Sequence, residues 1–273
     1  MPESIFNSID SELLEIIQSL TLMDDNFMTV VFGGDKKLTE LLLKILLGRD
    51  DLKIKRSMTQ KEIKNLFGRS VKLDIIAEDM NKKQYNIEIQ RDDEGASGRR
   101  IRYNAALLDS HTLRKSKKVS ELPEQYIIFI TENDYLGYGK PVYKVHKIFD
   151  VKSKDGKDLI FDDGRNIMYV NGAYRGEDPI GWLMHDLATA DADKMHYNLI
   201  ADSVRLHKQN VEEEKSMGRP LEEWANRKVE KAVLENTYET ARNLFNNGAS
   251  LELISKSLNL SEEKVQEIIN KTA

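Results

Sequence analysis

The sequence predicts an α/β fold followed by a mostly helical C-terminal region. Two segments, Val71–Ala77 and Gln84–Gln90, alternate with period 2 around the polar stretch 78–83. A continuous apolar run, Tyr126-Ile127-Ile128-Phe129-Ile130-Thr131, reads as a central strand covered on both faces. Helical periodicity lies on either side, in Ser4–Leu20 and from Pro179 onward.

Each element follows from local pattern. Ser4–Leu20 carries Ile5, Ile9, Leu13, Ile16, Ile17 and Leu20 near the 3.6 period. Leu38–Leu47 is apolar on most sides, and Gly48 is placed to stop it. Val71, Leu73 and Ile75 alternate with Lys72, Asp74 and Ile76, and Tyr85, Ile87 and Ile89 with Asn86, Glu88 and Gln90. With the turn-like Glu78–Lys83 between them, these form an antiparallel hairpin. Gly98–Val119 sets Ile101, Ala105, Leu108 and Thr112 on one helical face. Val142–Phe149 reads as a strand toward an edge, and Ile167–Val170 as a short strand among turns. Gly218-Arg219-Pro220 interrupts the helical text, Leu221–Asn247 forms a long helix, and Ser250–Leu258 and Ser261–Asn270 form two short ones.

Composition narrows the chemistry. At ~100–200 residues per domain, 273 residues allow one large domain or two small ones. Charged residues at 32% and hydrophobic residues at 40% describe a globular chain with a core, not a disordered one. With no cysteine there is no disulfide, no thiolate metal centre and no thiol nucleophile, which fits a reducing cytoplasm. No basic segment leads into an apolar one at the start, so no signal peptide is expected, and no apolar run is long enough to cross a bilayer. The net charge of −5 means that any nucleic-acid binding must come from a local basic patch.

The hairpin supplies the chemistry. Strand parity sets Glu88 and Gln90 on one face, and a turn near Met80–Lys82 brings Asp74 roughly opposite Glu88. Two carboxylates facing each other on a covered sheet repel and are poorly solvated. They persist if protonated, paired with a cation or bound to a metal; hard oxygen ligands suit Mg²⁺ or Mn²⁺. The plainer alternative is a solvated face, or an ion pair with Lys72 two residues before Asp74.

The wording Arg69-Ser70-Val71-Lys72-Leu73-Asp74-Ile75-Ile76-Ala77, then Tyr85-Asn86-Ile87-Glu88-Ile89-Gln90, then Arg99-Arg100-Ile101-Arg102-Tyr103 resembles the PD-(D/E)xK nuclease family transposases, the group that includes recombination-promoting nucleases. The resemblance reaches upstream to Asp25-Asn26-Phe27-Met28 and downstream through Tyr126–Ile130, so it covers roughly residues 20–150. It implies a restriction-endonuclease-like mixed central sheet flanked by helices, within a nuclease-like domain over 1–175. A helical region over 176–273 would follow. Asp74 would be the first metal-binding acid, Glu88 the second, and the Ile89 carbonyl a further ligand. Gln90 stands where many members of the wider superfamily have Lys. Glu40, in the helix 38–47, is carried over as an N-terminal helix acid approaching the metal. The implied activity is Mg²⁺- or Mn²⁺-dependent hydrolysis of DNA phosphodiester bonds in the cytoplasm, away from membranes. The rival is a catalytically weak or inactive nuclease fold that binds DNA or protein, since Gln90 cannot carry charge.

Within Gly98–Val119, Arg99, Arg100, Arg102, Arg114, Lys115, Lys117 and Lys118 stand against one acid, Asp109. Arg99, Arg102 and Tyr103 point away from the apolar face, and with Arg100 form the expected phosphate-holding stripe. Asp92-Asp93-Glu94 just before it would favour the helix N-terminus. The five histidines show no metal-binding spacing such as His-Glu-x-x-His and read as surface or packing residues. No phosphate loop follows Gly33-Gly34, and no Gly-x-Ser-x-Gly elbow is present. Residues 241–265 resemble a helix-turn-helix tail, but Glu262, Glu263 and Glu267 on its last helix would repel phosphate. The tail reads better as a packing or homo-oligomerisation module.

Overall fold

The computed structural model describes residues 15–65, 68–90, 96–113, 115–213, 234 and 236–270. Most of the expected helix Ser4–Leu20, the acidic run Asp92-Asp93-Glu94, Arg114, Gly218-Arg219-Pro220 and the first part of Leu221–Asn247 lie outside the described residues. The chain divides into two compact units, one spanning Gln18–Glu213 and the other formed by Met1–Ile17 with Glu214–Ala273.

The larger unit is built on a six-stranded mixed sheet flanked by helices. Its strands are β1 (Ile54–Ile63), β2 (Val71–Asp79), β3 (Gln84–Gln90), β4 (Gln125–Thr131), β5 (Val142–Lys144) and β8 (Arg165–Asn171), in the order β1-β2-β3-β4-β8-β5. The hairpin forms as its pattern requires, with β2 and β3 antiparallel and Ile75 opposite Ile87. Its turn closes because Asp79 Oδ1 accepts the N–H groups of Asn81 and Lys83, at 2.8 and 2.9 Å. Strands β3, β4 and β8 run parallel. Ile127, Ile128, Phe129 and Ile130 on β4 are all buried, as a strand covered on both faces must be.

Three elements differ from the sequence reading. Strand β1 pairs antiparallel with β2, yet no period-2 apolar pattern announces it, because only its ends, Ile54 and Ile63, are buried. The segment Val142–Phe149 divides: β5 forms the sheet edge beside β8, while β6 (Ile148–Lys152) pairs with β7 (Asp158–Ile160) in a separate two-stranded sheet. The basic helix stops at Thr112 and not at Val119. Leu108 is its last buried residue, and Val119 is 72% exposed, so no apolar packing extends the helix further.

The helices hold the sheet on both sides. Helix α1 (Asp25–Phe32) buries Phe27, Met28, Val31 and Phe32 and rests on β1 and β2. Helix α2 (Lys36–Leu47) starts at Asp35, whose carboxylate accepts the N–H groups of Lys37 and Leu38, and ends at Gly48 in the left-handed conformation. Helix α3 (Gly98–Thr112) buries Ile101, Asn104, Ala105 and Leu108. Asp109 pins it to the sheet by pairing with Arg165 of β8 at 2.6 Å and accepting from Gln125 of β4 at 2.6 Å. Helices α4 (Pro179–Ala188) and α5 (Asn198–Glu213) belong to the same unit. In the smaller unit, helical residues 236–246 with α6 (Leu251–Leu258) and α7 (Glu262–Asn270) close a core of Ala241, Ile254, Val265 and Ile268. No described helix is long and apolar enough to cross a membrane.

Candidate active site

The site begins where β2 and β3 part. Their pairing runs from Glu78 opposite Gln84 to Ile75 opposite Ile87, and one further step sets Asp74 across from Glu88. There the Asp74 carboxylate reaches the facing backbone: Oδ2 accepts the Ile89 N–H at 2.9 Å. Both acids are buried, Asp74 at 6% exposure and Glu88 at 0%. Glu88 Oε1 accepts from Asn86 Nδ2 at 3.1 Å. Among the described residues Glu88 Oε2 has no hydrogen-bond partner, and Arg100 Nη2 makes a longer ion-pair contact with it at 3.5 Å.

The electrostatics follow from that burial. Desolvation pushes the Asp74 pKa well above the carboxylate range, and the Asp25 charge raises it further. Desolvation also raises Glu88, followed by repulsion from Asp74. The Ile89 N–H and Arg100 oppose the shift on Asp74; Asn86 and Arg100 oppose it on Glu88. The folded chain therefore holds protons that the unfolded chain releases. This stabilisation is complete below the unfolded value of ~4 and is lost as pH rises through the raised folded values. We expect Glu88→Gln, in metal-free buffer, to raise the melting temperature near pH 8, at ~2–4 °C for each kcal/mol relieved. The gain should vanish near pH 4. Calorimetry at both pH values checks this, and equal shifts at both would remove the buried charge as the cause.

A cavity of about 1050 Å³ opens in front of the pair, lined by Asp74, Ile89, Gln90, Lys72, Arg99, Arg100 and Tyr103 among others. Several predicted residues lie elsewhere. Arg102 is exposed and does not line the cavity. At 3.6 residues per turn it falls ~60° past Arg99, on the side away from Tyr103 and Arg100, and the cavity-facing stripe is Arg99, Arg100 and Tyr103. Lys115, Lys117 and Lys118 lie beyond the end of α3, and Lys117 pairs with Glu121 at 2.6 Å. Glu40 also faces away. Its carboxylate accepts the Ile54 N–H at 3.0 Å and pairs with Lys44 and Lys53 at 2.9 and 3.0 Å. Desolvation pushes its pKa up, but these hydrogen bonds together outweigh it and bring the value down to about 2. Ile54 pairs with Asp79, five residues along β2 from Asp74 and hence ~16 Å away.

The helix acid that does face the cavity is Asp25, in the first turn of α1. Gln60 holds it: its amide donates to Asp25 Oδ1 at 3.3 Å and to Thr29 Oγ1 at 2.8 Å. Gln60 lies between Thr59, opposite Ile75, and Lys61, opposite Leu73, so it sits beside Asp74 in register. Its φ of +52° is strained for a side chain with a Cβ, and strain of this kind collects at functional sites. Arg69 adds a further cation to the rim, and its carbonyl accepts from Tyr103 Oη at 2.5 Å.

A family model for PD-(D/E)XK nuclease family transposases matches residues 25–172, more than half of the chain. The chain belongs to that family. The matched span opens on Asp25, contains the β2–β3 hairpin and the whole cavity-facing part of α3, and ends just past β8. The six-stranded mixed sheet with flanking helices is the PD-(D/E)XK fold, of restriction-endonuclease type. No curated protein and no solved structure matches the chain.

Proposed function

We propose that this chain is a divalent-metal-dependent DNA endonuclease that hydrolyses phosphodiester bonds, of the transposase or recombination-promoting kind, acting in the cytoplasm. The observation that carries the reading is the buried Asp74–Glu88 pair beside a cavity with a cationic rim. A buried carboxylate oxygen with no hydrogen bond from the described residues, next to a second buried acid, fits a hard dication. Asp74, Glu88 and the Ile89 carbonyl would hold Mg²⁺ or Mn²⁺. When bound, such an ion lowers the pKa of a water and offsets charge developing on the phosphate.

The chain's own residues do the rest. Arg100 offsets the acids' charge, while Lys72 and Gln90 face the reaction space. Arg69 and Arg99 meet the DNA backbone, where Arg suits bidentate contact with phosphate. Incubating supercoiled plasmid with the full chain tests the proposal. Nicking or linearisation should require Mg²⁺ or Mn²⁺ and stop in EDTA. Undiminished cleavage in EDTA, or DNA binding with no cleavage in either ion, would overturn it.

The rim yields a separate expectation. Arg69→Gln together with Arg99→Gln should flatten the dependence of log affinity on log salt, by ~0.9 for each duplex phosphate that is no longer neutralised. Arg102→Gln should leave the slope unchanged. Equal effects from Arg99 and Arg102 would return the stripe to a diffuse basic surface.

A further inference from the structure

Away from the acids, α4 and the connection to α5 bring His185, Asp186 and His196 together, with one candidate ligand atom from each inside 4.8 Å. Asp186 is fully buried. Its carboxylate is fixed by backbone: it accepts the His196 N–H at 2.8 and 3.0 Å and the Tyr197 N–H at 2.8 Å. Both imidazoles turn Nδ1 toward one oxygen, Asp186 Oδ1, at 3.2 Å from His185 and 3.1 Å from His196.

The convergence on one oxygen is what points to a ligand. Two ring nitrogens from different segments face the same buried carboxylate oxygen, an arrangement that serves either a cation shared among the three atoms or two His–Asp hydrogen bonds. On the other side of the His185 ring, Thr189 Oγ1 donates to the His185 carbonyl at 2.7 Å and stands 3.4 Å from Nε2.

We propose that His185 Nδ1, His196 Nδ1 and Asp186 Oδ1 form a binding site for a borderline dication, for which Zn²⁺ is the probe. The donor set is two imidazoles and one carboxylate, which suits such ions better than Mg²⁺. Ligands ~2.0–2.1 Å from a tetrahedral zinc lie ~3.3 Å apart, close to the two separations observed. The surroundings are those of a prepared site: Thr189 Oγ1 stands beside His185 Nε2, and the carboxylate is held by two backbone N–H groups. His196 is braced by the Trp182 ring at 6.0 Å between centroids. The His185 and His196 side chains are 35% and 42% exposed, so the ion can enter from solvent and keep a water as fourth ligand. Bound there, the ion ties the end of α4 to the start of α5.

This site is independent of the nuclease reading and is tested with that centre disabled. The full chain carrying Asp74→Asn and Glu88→Gln is titrated with ZnCl₂ by calorimetry, and with CoCl₂ for the visible absorption of a tetrahedral site. We expect one saturable site and a melting temperature raised by at least ~3 °C in excess Zn²⁺. His185→Gln and His196→Gln should each weaken binding at least ~10-fold. Their partial exposure makes loss of folding an unsuitable explanation, and circular dichroism at equal concentration verifies the fold. No saturable Zn²⁺ binding, the result if the two imidazoles only hydrogen-bond Asp186, would overturn the proposal. Binding unmoved by His185→Gln would do the same.

Discussion

Asp74→Asn and Glu88→Gln should each lower single-turnover DNA cleavage by at least ~10³-fold while the protein stays folded. A factor of 10³ corresponds to ~4 kcal/mol of transition-state stabilisation, within the several kcal/mol that a correctly held dication supplies. The effect is large because, among the described residues, the further carboxylate whose charge reaches the pair is Asp25, and it is exposed, on another element and held by Gln60. Folding should not suffer, because the same burial that makes the pair suited to a metal makes it costly without one. A substitution that removes charge from a repelling buried pair relieves that cost. This opposition of effects, activity lost and metal-free stability kept or raised, separates a catalytic centre from a structural ion pair. In an ion pair both would fall together. Cleavage within tenfold of the parent in either folded variant would sink the assignment.

The hairpin was readable because both its strands are half or fully buried, so period 2 is written in their side chains. The burial of its two acids was readable for the same reason: a carboxylate at a position that the alternation marks as covered demands an explanation. Strand β1 carried no such mark. Its interior, Lys55–Glu62, is largely polar and lies at the edge of the sheet, where nothing forces alternation. Gln60 was hidden with it, since its left-handed backbone falls on a residue type that does not advertise positive φ. Asp25 and Glu40 show the limit more sharply. Both are acids on N-terminal helices, and no local pattern says which helix meets the open end of β2. That is decided by α1 resting on β1 and β2, where segments distant in sequence meet. Glu40 instead caps the start of β1 through the Ile54 N–H. The His185–Asp186–His196 group has no fixed-spacing signature because the loop between α4 and α5, not a single helix, closes it.

Lys72→Met should slow cleavage by ~10²-fold, the scale seen when one group stabilising transition-state charge is removed, and by more than Gln90→Ala does. Gln90→Lys should retain or raise the rate. Gln90 cannot supply the cation that the chemistry needs. Its amide can hydrogen-bond a water or a phosphate oxygen but cannot bring a positive charge. The charge must come from another side chain facing the same space, and Lys72 lines the cavity from the start of β2, two residues before Asp74. That offset is ~6–7 Å along the strand, within reach of a lysine side chain. A simple ion pair between Lys72 and Asp74 is the competing role. Asp74 already accepts the Ile89 N–H, and Arg100 lowers its pKa more than Lys72 does. Lys72 is exposed and retains its length for a phosphate or a water. The two roles predict opposite results for one variant. As an ion-pair partner, Lys72 competes with the metal, so its removal tightens Mn²⁺ binding and leaves cleavage at saturating ion unchanged. As the source of charge for the reaction, its removal leaves Mn²⁺ affinity nearly as it was and slows the chemical step. Mn²⁺ titration and single-turnover cleavage of the same Lys72→Met protein decide between them, and full rate with tighter metal binding would refute the catalytic role.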